Sequence, residues 1–491
     1  MKQLDVLHVS LEYYPAAKAG GLADVVGALP KYLNKNKMHT AVIMPKHSTK
    51  WIMAQKWKSV FKGAVHHVDY RSYDFSVEVY HDLDEHPLYV MDIPGLFDRE
   101  SVYIDQYTGN GYLDGYKRNI VFQRAVLDWI SSMKRLPKTL HCHDHHTGLL
   151  PFMMKYCYNY KKLCKIPTVF TIHNGAYHGT IGWDMNYLIP KYDPMEGGKL
   201  EWNSMINPLA SGVKCCWKLT TVSPGYMDEL RYNSNGLEYL FAAEVGKSQG
   251  VINGIDLNVW DPTTDEMIDT VLKKDLTAFK KANKKALTGQ FDIDMSLPLV
   301  TFIGRLAYEK GAHLLHDLFC RYLYDFKNVN LLVLGTGDKH IQHQLVNAQK
   351  MYPKNVHVHI GYDEALAHQL YAGSDFLIMP SRVEPCGLNQ MYAMRYGTIP
   401  VVNSVGGLRD TVVDISQEDG YGIRFEGANV YAAYEAIKRA TALYEDSKEM
   451  KSLQKRVVNL DFSWKQSAAK YTKIYQTLKA SLRKQSADVK A

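Results

Sequence analysis

At 491 residues, 46% hydrophobic and 22% charged, the chain has the composition of a globular protein too long for a single core, so at least two domains are expected. A net charge of +7 with no dense basic run argues against nucleic acid as a partner and fits a small anionic ligand. Seven cysteines without a Cys-x-x-Cys pair give neither a disulfide framework nor a zinc site and fit a reducing cytoplasm; no apolar run approaches the ~20 residues that span a bilayer, so no membrane partner is expected.

The opening "MKQLDVLHVS" reads as a first strand, Leu4–Ser10, rather than a signal segment. A glycine turn and a helix follow in "LADVVGALPKYLNKN", then a strand in "TAVIMP" (40–45). Residues 60–93 alternate and turn, as an antiparallel excursion would. A long helix, "YKRNIVFQRAVLDWISSM", precedes the strand "KTLHCHD", the helix "HTGLLPFMMKYCY", and the strands "PTVFTIHN" and "LTTVSP". "VINGIDLNVWDPTTD", rich in Asn, Gly, Asp and Pro, places a domain boundary near 252 and is followed by a Lys-rich helical segment. A second alternating series then runs through "LPLVTFIG", "GAHLLHDLFCRYL", "VNLLVLGTG", "KHIQHQLVNAQKMY", "NVHVHIG", "EALAHQLYAG", "DFLIMPS", "GLNQMYAMRYG" and "TIPVVN". The tail from Trp464 reads as a closing helix. Short apolar runs alternating with helices predict an α/β fold with mostly parallel sheets.

In open parallel sheets, ligands bind beyond the carboxyl ends of the strands. "KAGGLADVVGALP" follows the first strand. Its spacing matches neither the Walker loop nor the dinucleotide fingerprint. Gly20 and Gly21 would let backbone approach a phosphate, with Lys18 adding charge; a plain tight turn is the alternative. "IGRLAYEKG" sets Arg305 and Lys310 after a strand, where two cations suit a diphosphate; as a loop position, Lys310 is expected to be dispensable for folding. "SRVEPCGLNQMYAMRYG" offers Glu384 to hydroxyls and the N–H groups of Gly387, Leu388 and Asn389 to an anion, unless Glu384 is only a helix-start charge. "TIHNGAYHG" places His173 and Asn174 after a strand, and "HCHDHH" places Asp144 likewise. His141, His143, His145 and His146 invite a metal reading, but alternation puts His141 and His143 on one strand face and Asp144 on the other, so no metal site is expected. The Asp-x-Asp runs at 82–84 and 292–294 read as turns.

"KAGGLADVVGALP", "TIHN", "VINGID", "GRLAYEKG", "GTGD" and "SRVEPCGLNQMYAMRYGTIPVV" resemble, in order and over nearly the whole chain, the bacterial glycogen and plant starch synthases. The resemblance implies the GT-B fold, two Rossmann-like domains facing across a cleft. The first (1–251) would be completed by a C-terminal helix (464–491), and the second (252–463) would bind the nucleotide sugar. It implies a retaining glycosyltransferase that carries glucose from ADP-glucose or UDP-glucose to the non-reducing end of an α-1,4-glucan, with no metal and no cofactor. Carried over by motif, Arg305 and Lys310 would clamp the diphosphate, Glu384 would contact the transferred glucose, and His173 and Asp144 would lie by the reacting sugar. Lys18, Gly20, Gly21, Asp24, Asn174, Asn253, Gly335, Tyr362 by the base, Cys386, Gly387, Leu388 and Asn389 would bind substrate. Asn389 stands where threonine is common, Gly115 where an asparagine is frequent, and Ala210 where a lysine often falls. A retaining glucosyltransferase with another acceptor, such as a sugar phosphate, and a non-catalytic glucan-binding protein are the competing readings.

Overall fold

The computed structural model describes residues 3–68, 71–80 and 86–488, with side chains to residue 480. The chain forms two compact units. The first comprises Met1–Val222, Met227–Gly254 and Trp464–Ala491, and the second Ser223–Tyr226 and Ile255–Ser463. The change of unit at Gly254 and Ile255 lies just beyond the boundary expected near 252.

Among the described residues, the first unit carries a nine-stranded sheet. Its spatial order is Ser248–Gly250, Lys218–Thr221, Thr168–Ile172, Leu140–His143, Val6–Val9, Thr40–Pro45, Leu88–Asp92, Arg71–Tyr80 and Lys58–Val68. The strands from Ser248–Gly250 to Leu88–Asp92 pair in parallel, and several are buried along their whole length. That is why they read as continuous apolar runs. The last two add antiparallel, and Arg71–Tyr80 alternates buried and more exposed positions, as a sheet with one wet face should. The closing helix Trp464–Asp488 belongs to this unit. Its Trp464, Tyr471 and Tyr475 pack with Val25, Leu29 and Leu33 of helix Gly21–Lys35, each such burial contributing about 1.5–3 kcal/mol.

The second unit carries a six-stranded, fully parallel sheet in the order Val356–Ile360, Asn330–Gly335, Leu299–Ile303, Phe376–Met379, Ile399–Asn403 and Ile423–Phe425. Sequence-local caps start its helices. Asp338 accepts from the backbone N–H of His340 and Ile341, and Asp363 accepts from that of Leu366. Because the strands are parallel, the loops after them leave one edge of the sheet.

One local expectation fails, and three elements were not anticipated. "HTGLLPFMMKYCY" is a 3-10 turn, His145–Thr147, and then a short helix, Leu150–Tyr156. Asp144 enters it at φ 58°, outside helical space, and a Cβ at Gly148 would lie 2.2 Å from the Pro208 carbonyl oxygen. The strand Ile423–Phe425 and the helices Val430–Glu445 and Ser447–Val458 went unassigned from sequence. Of the two Asp-x-Asp runs, 82–84 lies outside the described residues. At 292–294, Asp294 accepts from the N–H and hydroxyl of Ser296, a turn interaction. No helix among the described residues is long and apolar enough to cross a membrane.

Candidate active site

In the first unit the glycine stretch is organised by a residue that sequence reasoning missed. Glu12, three residues past the first strand and almost fully buried, accepts from the N–H of Ala19 (2.6 Å) and Gly20 (2.9 Å) and from the Tyr103 hydroxyl (2.7 Å). Burial raises its carboxyl above the ordinary range, against the lowering pull of those three hydrogen bonds. The Gly20 N–H is therefore committed to Glu12. Neither Gly20 nor Gly21 has a left-handed φ, and a Cβ built on either meets nothing within 4 Å. The chain's own conformation therefore does not require glycine at either position. Lys18 Nζ lies 2.8 Å from Asp24 Oδ1, in the first turn of the helix, and 5.3 Å from the Tyr14 ring centre.

Asp144, His173 and Asn174 do come together. The Asp144 carboxylate accepts from the backbone N–H of His173 (2.7 Å) and Asn174 (3.3 Å). Its φ of 58° and ψ of 175° are nearly reserved for glycine, and such strain persists where surrounding structure enforces it. Burial raises the Asp144 carboxyl to about 7, above the lowering effect of the two N–H groups. Asn253 is buried, and its Oδ1 has no hydrogen-bond partner among the described residues.

The histidines of "HCHDHH" separate. His141 and His143 share a face, rings 4.2 Å apart, and with His8 they offer nitrogens within 4.8 Å of one another. His141 already contacts the Tyr475 hydroxyl (2.7 Å) through Nδ1 and the Thr171 hydroxyl (2.6 Å) through Nε2. The 4.8 Å spread also exceeds the ~3.4 Å that ~2.1 Å zinc–nitrogen bonds at tetrahedral angles would set. The arrangement is that of a hydrogen-bonded core. His146 instead stacks on Tyr103 at 4.7 Å.

In the second unit the expected residues gather at the carboxyl ends of strands. Arg305 follows Leu299–Ile303, Gly335 ends Asn330–Gly335, Tyr362 follows Val356–Ile360, and Glu384 follows Phe376–Met379. Lys310 and Glu384, 74 positions apart, form a two-pronged pair, Nζ to Oε1 2.8 Å and to Oε2 2.7 Å, and the Ser381 hydroxyl adds a bond at 3.0 Å. The Glu384 side chain is 6% exposed and that of Lys310 27%. Lys310 is thus not a dispensable loop charge, since it neutralises a buried carboxylate. Gly311 makes the approach possible: its φ is 69°, and a Cβ would lie 2.0 Å from the Pro380 carbonyl oxygen. Arg305 points outward, 67% exposed, and meets Glu309 at 2.6 Å.

Beyond Glu384, Gly387 turns at φ 71° and helix Asn389–Arg395 begins. The backbone N–H groups of Gly387, Leu388 and Asn389 have no acceptor among the described residues, as first-turn groups do not. The Asn389 side chain donates to the Ile303 carbonyl (2.7 Å), tying this helix start to the strand that leads into Arg305. Cys386 is buried, and Tyr362 is exposed with its hydroxyl 3.4 Å from Glu364.

The family model for the starch synthase catalytic domain matches residues 5–243, and that for glycosyl transferases group 1 matches 283–457. A glycogen synthase from Flavobacterium johnsoniae is 45% identical over 478 residues, 97% of this chain and 99% of the relative. The catalytic domain of starch synthase IV from Arabidopsis thaliana, solved bound to ADP and acarbose, is 30% identical with a TM-score of 0.84, covering 97% of this chain and 99% of that one. A sucrose-phosphate synthase from Thermosynechococcus elongatus, 16% identical with a TM-score of 0.60 over 98% of this chain and all of that one, shares the fold.

Proposed function

The chain belongs to the glycogen synthase family, glycosyltransferases of the GT-B fold, and on that premise we propose that it lengthens an α-1,4-glucan with glucose from ADP-glucose, retaining the anomeric configuration. The observation that carries this reading is the strand-end cluster of the second unit. A part-buried Lys310–Glu384 pair stands a few residues before three backbone N–H groups that have no acceptor among the described residues, with the exposed Arg305–Glu309 pair at the end of the neighbouring strand. Cations and N–H groups stabilise charge that grows on a leaving diphosphate, a type of contribution worth about 3–4 kcal/mol per donor. The Glu384 carboxylate can accept from a sugar hydroxyl while it stays paired with Lys310.

In the transfer, the bond from the glucose C1 to the diphosphate oxygen breaks and a bond from C1 to the acceptor's 4-oxygen forms on the same face. The proton of the 4-hydroxyl goes to the departing phosphate oxygen. His173 and Asp144 of the first unit serve the glucose, and Lys18 and Gly21 serve the donor. ADP as the leaving nucleotide is supported by the ADP to which the starch synthase neighbour is bound, and a glucan acceptor by the acarbose also bound to it. All seven cysteines are free thiols, which supports a reducing, cytoplasmic setting. Lys18, Arg305 and Lys310 supply positive charge without a metal ion.

The test incubates the protein with glycogen and either ADP-glucose or UDP-glucose, with and without EDTA, and measures nucleotide release and glucose incorporation. ADP release that depends on glycogen and survives EDTA is expected. Release that needs a sugar phosphate instead of glycogen would overturn the acceptor, and activity lost to EDTA and restored by manganese would overturn the metal-free account.

A further inference from the structure

Behind His173, in the interior of the first unit, lies a chain of imidazoles. His173 Nε2 is 3.0 Å from His143 Nδ1, and His143 Nε2 is 3.1 Å from His8 Nδ1. His8 and His143 are fully buried, whereas His173, at 9%, is the end that reaches accessible surface. The strand register explains the assembly. His8 lies opposite His141 across paired strands, and His143 opposite Thr171, two residues before His173.

Burial lowers His8 and His173 to about 3 and holds His143 well below the ordinary histidine range, so all three are neutral near pH 7. A neutral imidazole has one donor and one acceptor nitrogen. His143 uses both, so it must donate at one contact and accept at the other, and the three protons are ordered together. Only two orders exist. In the first, His8 Nδ1–H donates to His143 Nε2, His143 Nδ1–H donates to His173 Nε2, and His173 carries its proton on Nδ1. In the second every bond reverses, and His8 carries its proton on Nε2. That nitrogen is buried without a hydrogen-bond partner among the described residues. A buried, orphaned N–H is the rarer and costlier fault, whereas a bare lone pair is better tolerated. The first order is favoured.

We propose that His8 and His143 are positioning residues that fix the tautomer of His173, so that its Nδ1 bears the proton and is held as a hydrogen-bond donor toward an oxygen of the bound sugar. The inference rests on the reading that His173 faces the sugar. The Asp144 carboxylate holds the backbone N–H of the same residue, so ring and main chain of His173 are anchored from separate sides. A hydroxyl meeting this ring is then received as an acceptor, which orients it before any chemistry occurs.

The test is long-range proton–nitrogen NMR on protein labelled at histidine ring nitrogens, without ligand, alongside kinetics. Wild-type His173 is expected to show a protonated Nδ1 and a bare Nε2. His143→Gln places its amide toward His8, and His8→Phe removes the first donor of the chain. Both should give a mixed His173 tautomer and a kcat lowered roughly tenfold, with a smaller change in donor KM. A wild-type His173 protonated on Nε2, or a tautomer unmoved in both His143→Gln and His8→Phe, would overturn the proposal. A protein with the stated tautomer but no glucan elongation would refute the functional reading while leaving the histidine chain standing.

Discussion

Lys310→Ala separates the observed role of Lys310, pairing with Glu384, from its proposed role toward a diphosphate. The lysine can stabilise charge on a diphosphate, and it also neutralises Glu384, whose side chain is 6% exposed and would keep only the Ser381 hydroxyl as partner. Removing one member of a buried ion pair typically costs 3–5 kcal/mol, because a bare charge is left inside. Lys310 is 27% exposed and water can reach its place, so a smaller loss of about 2 kcal/mol, below that range, is the better expectation here. For a body of this size that is a fall in Tm of ~4–8 °C. Turnover should drop by roughly 10²-fold or more, as for loss of a preorganised donor. Adding Glu384→Gln removes the stranded charge, so the double variant should regain most of the lost Tm while turnover stays low. Calorimetric melting of the four proteins, with ADP-glucose kinetics beside it, gives the complete cycle. If Lys310→Ala melts with the wild type, or if the double variant is no more stable than Lys310→Ala, then Glu384 does not depend on Lys310 and the account of the pair is wrong.

Asp144→Asn should lower transfer while changing the pH dependence of stability. The folded carboxyl titrates near 7 and the unfolded one near 4, so ionisation costs the wild type nothing below pH ~4 and progressively more up to pH ~7. The difference in Tm between variant and wild type should therefore shift in the variant's favour over that range, and a constant difference would refute the shifted titration. Gly21→Val should fold with unchanged Tm, since a Cβ there meets nothing within 4 Å, and should bind ADP by calorimetry yet fail to transfer glucose. Full activity would make the stretch an ordinary helix start. Glu12→Ala releases the Ala19 and Gly20 N–H groups and should cut transfer about tenfold while ADP affinity holds within about twofold, the loss of charge-assisted hydrogen bonds being worth roughly 1.5–3 kcal/mol. An unaffected transfer rate would mean that the loop keeps its shape without Glu12.

Much of the candidate site was legible because its residues sit immediately after apolar strands, where sequence marks them with glycine, charge and proline. Arg305, Glu384 and the Gly387–Asn389 turn are of this kind, and their positions follow once the strands are assigned. Pairings across the chain were not legible. Lys310 and Glu384 are adjacent only because Leu299–Ile303 and Phe376–Met379 are neighbouring strands, and alternation within one strand says nothing about its neighbour. The histidine chain was hidden for the same reason. The two-residue period put His141 and His143 on one face, but the register that sets His8 opposite His141 is a property of the folded sheet. Glu12 lay close in sequence to the loop it holds, yet a lone glutamate after a strand carries no pattern.

The three cations singled out from sequence each arrive with a carboxylate: Lys18 with Asp24, Arg305 with Glu309, Lys310 with Glu384. Burial sorts these pairs into different tasks. The Arg305–Glu309 side chains are 67% and 45% exposed, and a solvent-screened pair of that kind is worth about 0–1 kcal/mol, so a diphosphate can take the guanidinium from Glu309 at little cost. Lys18 and Asp24 are similarly placed, at 46% and 28%. Glu384 cannot release Lys310 so cheaply, because its carboxylate would be left charged and buried. The Lys310 ammonium has three protons and points two of them at the Glu384 carboxylate oxygens, so on the proposed reading a phosphate oxygen takes the third while the pair stays intact. On the proposed reading, the more exposed Arg305–Glu309 pair opens and closes with each donor, while the Lys310–Glu384 pair stays fixed.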